Sequence, residues 1–196
     1  MNEKRTGGSP MGRPVPSPEP GAHAYTDGAS MGSRGPGGYG VVVTWGGKTE
    51  EINGGERDTT NQRMELTAAC VALETIDGGH VVTVYSDSSY LVNCMRRDWH
   101  ETWRENGWLN NLGEPVANRD LWERLLRAVR RHREVRWRKV KGHQKGGGPH
   151  KAGNDRADEL AVFAKKEAGG DRSRRSSTAA GRRSGRRDPS GRSGGS

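Results

Sequence analysis

The stretch HVVTVYSD, residues 80–87, decides the class of fold. Its middle residues are β-branched or aromatic and carry no charge, which is typical of a strand buried on both faces in a parallel sheet. Residues 61–76 and 118–132 show apolar side chains at helical spacing, and serines that can cap a helix begin residues 88–97. The stretch therefore indicates an α/β domain with helices on the faces of a sheet.

Further strands are predicted on both sides of this central one. Residues 22–30, 35–47 and 48–54 have strand and turn signals, with the first strand ending in a turn and the last two paired in a meander. Residues 135–140 alternate as another strand, and residues 154–166 form a closing helix. The order β-β-β-α-β-α-α-β-α implies a mixed sheet with helices on both faces.

The apolar residues are confined to the middle of the chain. The protein has 196 residues, of which only 30% are hydrophobic, and 30 are glycines. Residues 1–23 and 169–196 consist mainly of Gly, Pro, Ser and Arg, so we expect both segments to be disordered. Residues 24–168 are left as one domain large enough to bury a core.

The charge is concentrated in the carboxyl-terminal segment. The formal net charge is +9, and residues 169–196 alone contribute +6 through eight arginines and two aspartates. An arginine-rich tail beside a nearly neutral domain indicates a polyanionic partner, because arginine contacts to phosphates release counterions. The alternative is that the tail only increases solubility.

The cysteines and the lengths of the apolar runs indicate where in the cell the protein is located. The two cysteines, Cys70 and Cys94, lie in apolar helical patterns and predict neither a disulfide scaffold nor a metal site. No apolar run is long enough to cross a membrane, and the amino terminus lacks the apolar region of a secretory signal. We therefore expect a cytoplasmic protein without a membrane segment. We also expect a monomer.

Two aspartates follow predicted strands. Asp27 comes after the strand at residues 23–26, and Asp87 comes after the strand at residues 81–86. If these strands are parallel neighbours, both carboxylates lie at the same edge of the sheet, where α/β proteins bind ligands. The alternatives are an Asp-Gly turn at Asp27 and a helix cap at Asp87.

Two further carboxylates have no cation on their own helix. Glu65 and Asp158 lack a basic residue three or four positions away in either direction, and both flank an apolar stripe. Glu159, in contrast, has Arg156 three residues before it. We therefore expect Glu159 to be solvated, and Glu65 and Asp158 to serve a site.

A cluster of carboxylates without cysteine suits a hard cation. Mg²⁺ and Mn²⁺ prefer oxygen ligands, and two such ions about 4 Å apart can promote an in-line phosphodiester displacement. Zinc is disfavoured, because His143 and His150 share a glycine-rich loop without a cysteine, where we expect the histidines to be exposed to solvent.

Five segments match the motifs of one known family in their order. They are TDGAS (26–30) with GPGGYG (35–40), TTNQRMELTAA (59–69), YSDSSY (85–90), VKGH (140–143) and GNDRADELA (153–161). Together they resemble ribonuclease HI, and the resemblance covers roughly residues 22–166.

The resemblance implies a fold and a reaction. The fold is a five-stranded mixed sheet whose first three strands are antiparallel, with helices on both faces. The reaction is endonucleolytic hydrolysis of the RNA strand of an RNA/DNA hybrid, leaving 5′-phosphate and 3′-hydroxyl ends. Two Mg²⁺ ions, for which Mn²⁺ can substitute, are implied, and their ligands are Asp27, Glu65, Asp87 and Asp158. His143 matches a loop histidine that assists proton transfer or product departure, and His150 is a weaker candidate for that role.

The resemblance also implies substrate contacts, which are Gly28, Ser33, Thr60, Asn61, Gln62, Ser89, Trp99 and Trp103. Ser33 and Ser89 replace an asparagine and a glutamine that are common in the family, so their hydrogen bonds are shorter in reach or mediated by water. Arg63 is either a phosphate contact or a packing cation. The segment after Trp103 is poor in cations, and the arginines between residues 172 and 192 are a hypothetical replacement.

Three other interpretations compete with this one. The same fold occurs in nucleases that act on DNA, a related domain can bind RNA/DNA hybrids without cleaving them, and the four acids can be caps and turns only. The early spacing of the acids and the retention of all four favour the hybrid nuclease.

Overall fold

The structure is a computed structural model that describes residues 21–140 and 150–180, with side chains described as far as residue 170. The described residues form ten elements. They are β1 (Ala22–Ser30), β2 (Gly35–Trp45), β3 (Lys48–Thr59), α1 (Asn61–Thr75), β4 (Val81–Ser86), α2 (Ser89–Arg96), α3 (Trp99–Glu105), α4 (Arg119–Val129), β5 (Glu134–Lys139) and α5 (Lys151–Ala180).

The five strands form one mixed sheet in the order β3-β2-β1-β4-β5. Strand β2 pairs antiparallel with β1 and β3, whereas β4 pairs parallel with β1 and β5. The predicted five-stranded sheet with three antiparallel strands at its start is confirmed. The predicted parallel pairing of the strands before Asp27 and Asp87 is confirmed as well.

Hydrophobic side chains cover both faces of the sheet, because alternate residues of each strand point to opposite sides. On one face, Ala24, Val84 and helices α1, α2 and α4 build the main core. On the other face, Tyr25 and Tyr85 pack with Ala157 and other residues of α5. The predicted placement of helices on both faces is therefore confirmed.

Helix α5 lies very close to strand β2. A Cβ atom added at Gly38 would overlap the backbone of Lys165, and one added at Gly40 would overlap the carbonyl oxygen of Ala157. Only glycine allows the backbone of α5 to come so close to β2. These two glycines therefore set the distance between α5 and the sheet.

The structure differs from the sequence predictions in four main features. Strand β1 continues through Asp27 and Gly28 to Ser30 because its later residues pair with the glycines of β2. Strand β3 extends to Thr59, which pairs with Gly35. Helix α3 is an additional element, which the tryptophan-rich sequence did not indicate.

The fourth difference concerns the carboxyl-terminal helix. Helix α5 begins at Lys151 and runs to Ala180, so its backbone enters the segment for which disorder was predicted. Extending an established helix adds one hydrogen bond for each residue, which makes extension easier than nucleation. Residues 181–196, the rest of the predicted tail, lie outside the described residues. No helix in the described part of the chain is long and apolar enough to span a membrane.

Candidate active site

Asp27 and Asp87 lie side by side at one edge of the sheet. The parallel pairing of β1 with β4 ends at Thr26 and Ser86, so these aspartates are the next residues on neighbouring strands. The Oδ1 atom of Asp27 accepts a hydrogen bond of 2.8 Å from the backbone N–H of Gly28. Asp27 is part of an extended strand, so the alternative of an Asp-Gly turn is wrong.

Glu65 reaches the same edge from helix α1. Thr60 caps this helix, its side chain accepting from the N–H of Arg63 at 3.3 Å. A Cβ atom at Gly28 would overlap the backbone N of Glu65, so a glycine in β1 lets the helix approach. We predicted that Gly28 allows close approach of RNA, and the structure gives it this packing role.

Ser88 holds the Glu65 side chain in place. Its Oγ donates a hydrogen bond of 2.5 Å to Glu65 Oε2, and Asn61 Nδ2 donates one of 2.8 Å to Oε1. Ser88 is also the cap of α2, accepting from the N–H of Leu91, so the alternative of Asp87 as the cap is wrong. Ser88 was not predicted as a site residue, because its sequence pattern indicates only a capping role.

Replacing Ser88 by alanine is expected to lower the free energy of unfolding by about 1 kcal/mol, the usual effect of losing a helix cap. Ser89→Ala is a matched control, because Ser89 is exposed and its loss should change stability by less than about 0.5 kcal/mol. Urea denaturation of both variants measures the difference. Equal stabilities would show that Ser88 does not act as the cap.

Asp158 faces Asp27 from helix α5. The carboxyl groups of these two residues share a hydrogen bond. Burial, together with the negative charges of Asp87 and Asp158, raises the pKa of Asp27 to about 8, although the N–H of Gly28 opposes the shift. Burial also raises the pKa of Glu65, against the hydrogen bond from Ser88 and with a contribution from Asp87. The four predicted carboxylates therefore lie in one half-buried, mutually repelling cluster.

The donor chemistry of this cluster fits a divalent cation. All four side chains offer carboxylate oxygens, and a cation would offset the burial and the repulsion that raise the pKa of Asp27. As placed, the described residues hold no group of three or more His, Cys, Asp or Glu side chains close enough to bind an ion together. The fit therefore rests on the type and charge of the donors.

Polar residues at the start of α1 border the cluster. Asn61 is exposed and donates to Glu65, while Gln62 accepts a hydrogen bond of 3.0 Å from Asn118 Nδ2. Arg63 is held by Asp120 through two hydrogen bonds of 2.8 and 3.0 Å, and it also donates to Asn118. In this structure Arg63 therefore acts as a packing cation, and a contact with a phosphate stays a prediction.

Two of the predicted contact residues are exposed serines. Ser33 is in the turn between β1 and β2. Ser89 follows Asp87 by two residues and accepts a hydrogen bond of 2.5 Å from Lys139 Nζ at the end of β5. Lys139 was not predicted near Ser89, because only the pairing of β4 with β5 brings these two residues together.

The tryptophans differ in their exposure. Trp103 is only 8% exposed, and its ring contacts Tyr90 and Trp122 at centroid distances of 6.4 and 5.4 Å. Trp103 therefore belongs to the main core, and its expected contact with the substrate stays a prediction. Trp99 is half-buried, and the Arg97 guanidinium lies 5.9 Å from its ring centroid.

The two loop histidines have different outcomes. His143 lies outside the described residues. His150 was expected to be exposed to solvent, and that expectation is wrong. Its ring is half-buried and stacks on Tyr85 with a centroid distance of 4.1 Å. The reason is the position of α5, which carries His150 onto the sheet.

Comparison with known proteins gives one consistent result. The family model RNase H matches residues 20–166. A ribonuclease H of Desulforamulus reducens is 50% identical over 143 residues, covering 73% of this chain and 86% of that protein. A ribonuclease H of Moorella thermoacetica is 50% identical over 137 residues, covering 70% of this chain and 86% of that protein.

Solved structures agree with the sequence comparison. LC9-RNase H1, described as a type 1 RNase H with the type 2 active-site motif, is 30% identical, with a TM-score of 0.63 over 82% of this chain and 84% of that one. LC11-RNase H1 in complex with an RNA/DNA hybrid is 25% identical, with a TM-score of 0.55 over 75% of this chain and 98% of that one.

Proposed function

Because the chain belongs to the ribonuclease H family, we propose that it cleaves the RNA strand of RNA/DNA hybrids endonucleolytically, leaving 5′-phosphate and 3′-hydroxyl ends. The observation that carries this proposal is the meeting of four carboxylates at one sheet edge. These carboxylates are Asp27 in β1, Glu65 in α1, Asp87 after the end of β4, and Asp158 in α5.

These four residues would hold two Mg²⁺ ions, for which Mn²⁺ can substitute. Bound there, the ions supply an activated water and stabilise the charge on the leaving 3′ oxygen. The burial and mutual repulsion that raise the pKa of Asp27 support a role as a cation ligand, since a group in this environment gains most from a nearby positive charge.

The surrounding residues orient the carboxylates. Ser88 and Asn61 each donate to one oxygen of Glu65, which fixes the direction of its carboxylate. Gly28 lets the backbone of α1 contact β1, so Glu65 and Asp27 reach the same edge. For His143 we propose proton transfer or assistance of product departure, because an imidazole titrates near neutral pH.

Recognition of the hybrid would use the polar residues around this edge. Thr60, Asn61 and Gln62 lie at the start of α1, where side chains and backbone N–H groups can meet a phosphate. Gly28, Ser33, Ser89 and Trp99 complete the proposed contact surface. Discrimination of RNA from DNA would rest on the 2′-hydroxyl and on the shape of the minor groove.

A cleavage assay tests the proposal. Labelled RNA/DNA hybrid, RNA/RNA duplex and DNA/DNA duplex are incubated with the full chain in Mg²⁺ or in EDTA, and the ends of the products are identified. We expect Mg²⁺-dependent cleavage of the RNA strand of the hybrid only. Binding without cleavage would instead indicate a hybrid-binding module, and cleavage of the DNA duplex would indicate a DNA nuclease.

We further propose that the arginine-rich carboxyl-terminal segment strengthens binding to the hybrid. Deleting residues 169–196 is expected to raise KM and to reduce the dependence of KM on salt, with kcat little changed. Steady-state kinetics at several salt concentrations measure this, with the full chain as reference. If the slope of KM against salt stays the same, the arginines do not contact phosphates.

We also propose that the enzyme works as a monomer in the cytoplasm. Both of its cysteines, Cys70 and Cys94, are buried and free, as is common in a reducing compartment.

A further inference from the structure

Three aromatic rings stack on the face of the sheet that helix α5 covers. The rings of Tyr25 and Tyr85 lie 4.9 Å apart with an angle of 15° between their planes. The His150 ring lies 4.1 Å from Tyr85 with an angle of 26°. The Tyr25 hydroxyl and His150 Nδ1 are also hydrogen-bonded at 3.2 Å. We call these three residues the aromatic seat.

The two tyrosines stand in register with the aspartates. Tyr25 and Tyr85 are direct partners in the parallel pairing of β1 with β4. Each precedes an aspartate, Asp27 or Asp87, by two residues, and residues two apart lie on the same face of a strand. The two tyrosines of the aromatic seat therefore lie on the same two strands as these aspartates, two residues before each of them.

The first turn of α5 rests on this seat. His150 immediately precedes the helix, and its carbonyl oxygen accepts a hydrogen bond of 3.1 Å from the N–H of Asn154. A Cβ atom at Gly153 would lie 2.5 Å from the ring of Tyr25, so the helix backbone touches that ring. Asp158 follows in the next turns of this helix and meets Asp27.

We infer that His150 is a positioning residue for the carboxylate cluster. Its ring, stacked on Tyr85 and bonded to Tyr25, fixes the start of α5 and so holds Asp158 against Asp27. The inference rests on the proposed function, because the cluster matters only if it binds the catalytic cations. An aliphatic side chain at position 150 could fill the same space, but it could not bond to Tyr25 and set the rotation of the helix.

Three variants test the inference. His150→Ala removes the stack and the hydrogen bond, and Tyr25→Phe keeps the ring but removes the hydrogen bond. His80→Ala is the matched control, because His80 lies at the opposite end of β4 from Asp87. For each variant, Mg²⁺ binding is measured by calorimetry without nucleic acid, and hybrid cleavage is measured against Mg²⁺ concentration. Thermal unfolding in EDTA establishes that each variant is folded.

We expect His150→Ala to weaken Mg²⁺ binding by about 10-fold, which is typical when a group that orients metal ligands is lost. The Mg²⁺ concentration for half-maximal cleavage should rise by the same factor, KM for the hybrid should stay unchanged, and excess Mg²⁺ should restore most of kcat. Tyr25→Phe should show a smaller change in the same direction. His80→Ala should behave as the unaltered protein.

A folded His150→Ala variant with the Mg²⁺ affinity of His80→Ala would overturn the inference. If His150→Ala does not fold, Tyr25→Phe decides: a weaker Mg²⁺ affinity supports the inference and an unchanged one overturns it. If the unaltered protein binds Mg²⁺ but does not cleave the hybrid, the proposed function fails, and calorimetry still decides the role of His150.

Discussion

Asp87→Asn is expected to abolish Mg²⁺-dependent cleavage of the RNA/DNA hybrid, with a fall in kcat of at least about 1000-fold. The substitution keeps the shape of the side chain and removes one negative charge from the cluster at the sheet edge. A bound cation stabilises the transition state by several kcal/mol, and each 1.4 kcal/mol corresponds to about a factor of ten in rate. Cleavage of labelled hybrid by the variant and the unaltered protein, under identical Mg²⁺ concentrations, measures the loss.

Asp98→Asn is the matched control for this substitution. Asp98 is exposed, precedes α3 and makes no side-chain capping bond, so the same chemical change there should leave cleavage unaltered. If Asp87→Asn retained more than a small part of the activity, Asp87 would not be a cation ligand, and the reaction would have to be assigned to other residues.

Asp27→Asn is expected to make the protein more stable in EDTA while it eliminates cleavage. Burial and the charges of Asp87 and Asp158 disfavour the ionised form of Asp27. An asparagine removes that charge, can still accept from the N–H of Gly28, and can donate to Asp158. We expect the free energy of unfolding to rise by about 1–2 kcal/mol, as is common when a functional residue under strain is replaced.

Urea denaturation in EDTA and in Mg²⁺ measures this effect. Mg²⁺ should stabilise the unaltered protein, because it binds the folded state, and should stabilise Asp27→Asn much less. Asp98→Asn should change the unfolding free energy by less than about 0.5 kcal/mol in either condition. A loss of stability in Asp27→Asn would show that the hydrogen bonds of the carboxylate outweigh its repulsion.

The meeting of the four carboxylates in the candidate site could be predicted because each leaves a local signal. Asp27 and Asp87 follow short apolar strands, and these strands are parallel neighbours in the structure. Glu65 and Asp158 have no cation at helical spacing, and both lie in the half-buried cluster. The order of strands and helices could be predicted as well, because the change from strand to helix periodicity is visible along the chain.

The residues that support the carboxylates could not be predicted, because their contacts are distant in sequence. The bond from Ser88 to Glu65 joins residues 23 positions apart, and the bond between Tyr25 and His150 spans 125 positions. Trp103 lies in a segment rich in tryptophan and charged residues, and its ring is buried against Tyr90 of α2 and Trp122 of α4. Lys139 reaches Ser89 only through the pairing of β4 with β5.

The glycine at position 40 has a consequence for protein engineering. Gly40 is the strand partner of Asp27, and its missing side chain makes room for the carbonyl of Ala157, the neighbour of Asp158. The separation of two acidic groups is thus set by a residue that contributes no chemistry of its own. A design that transfers these carboxylates to another scaffold must therefore also keep a glycine at the position of Gly40.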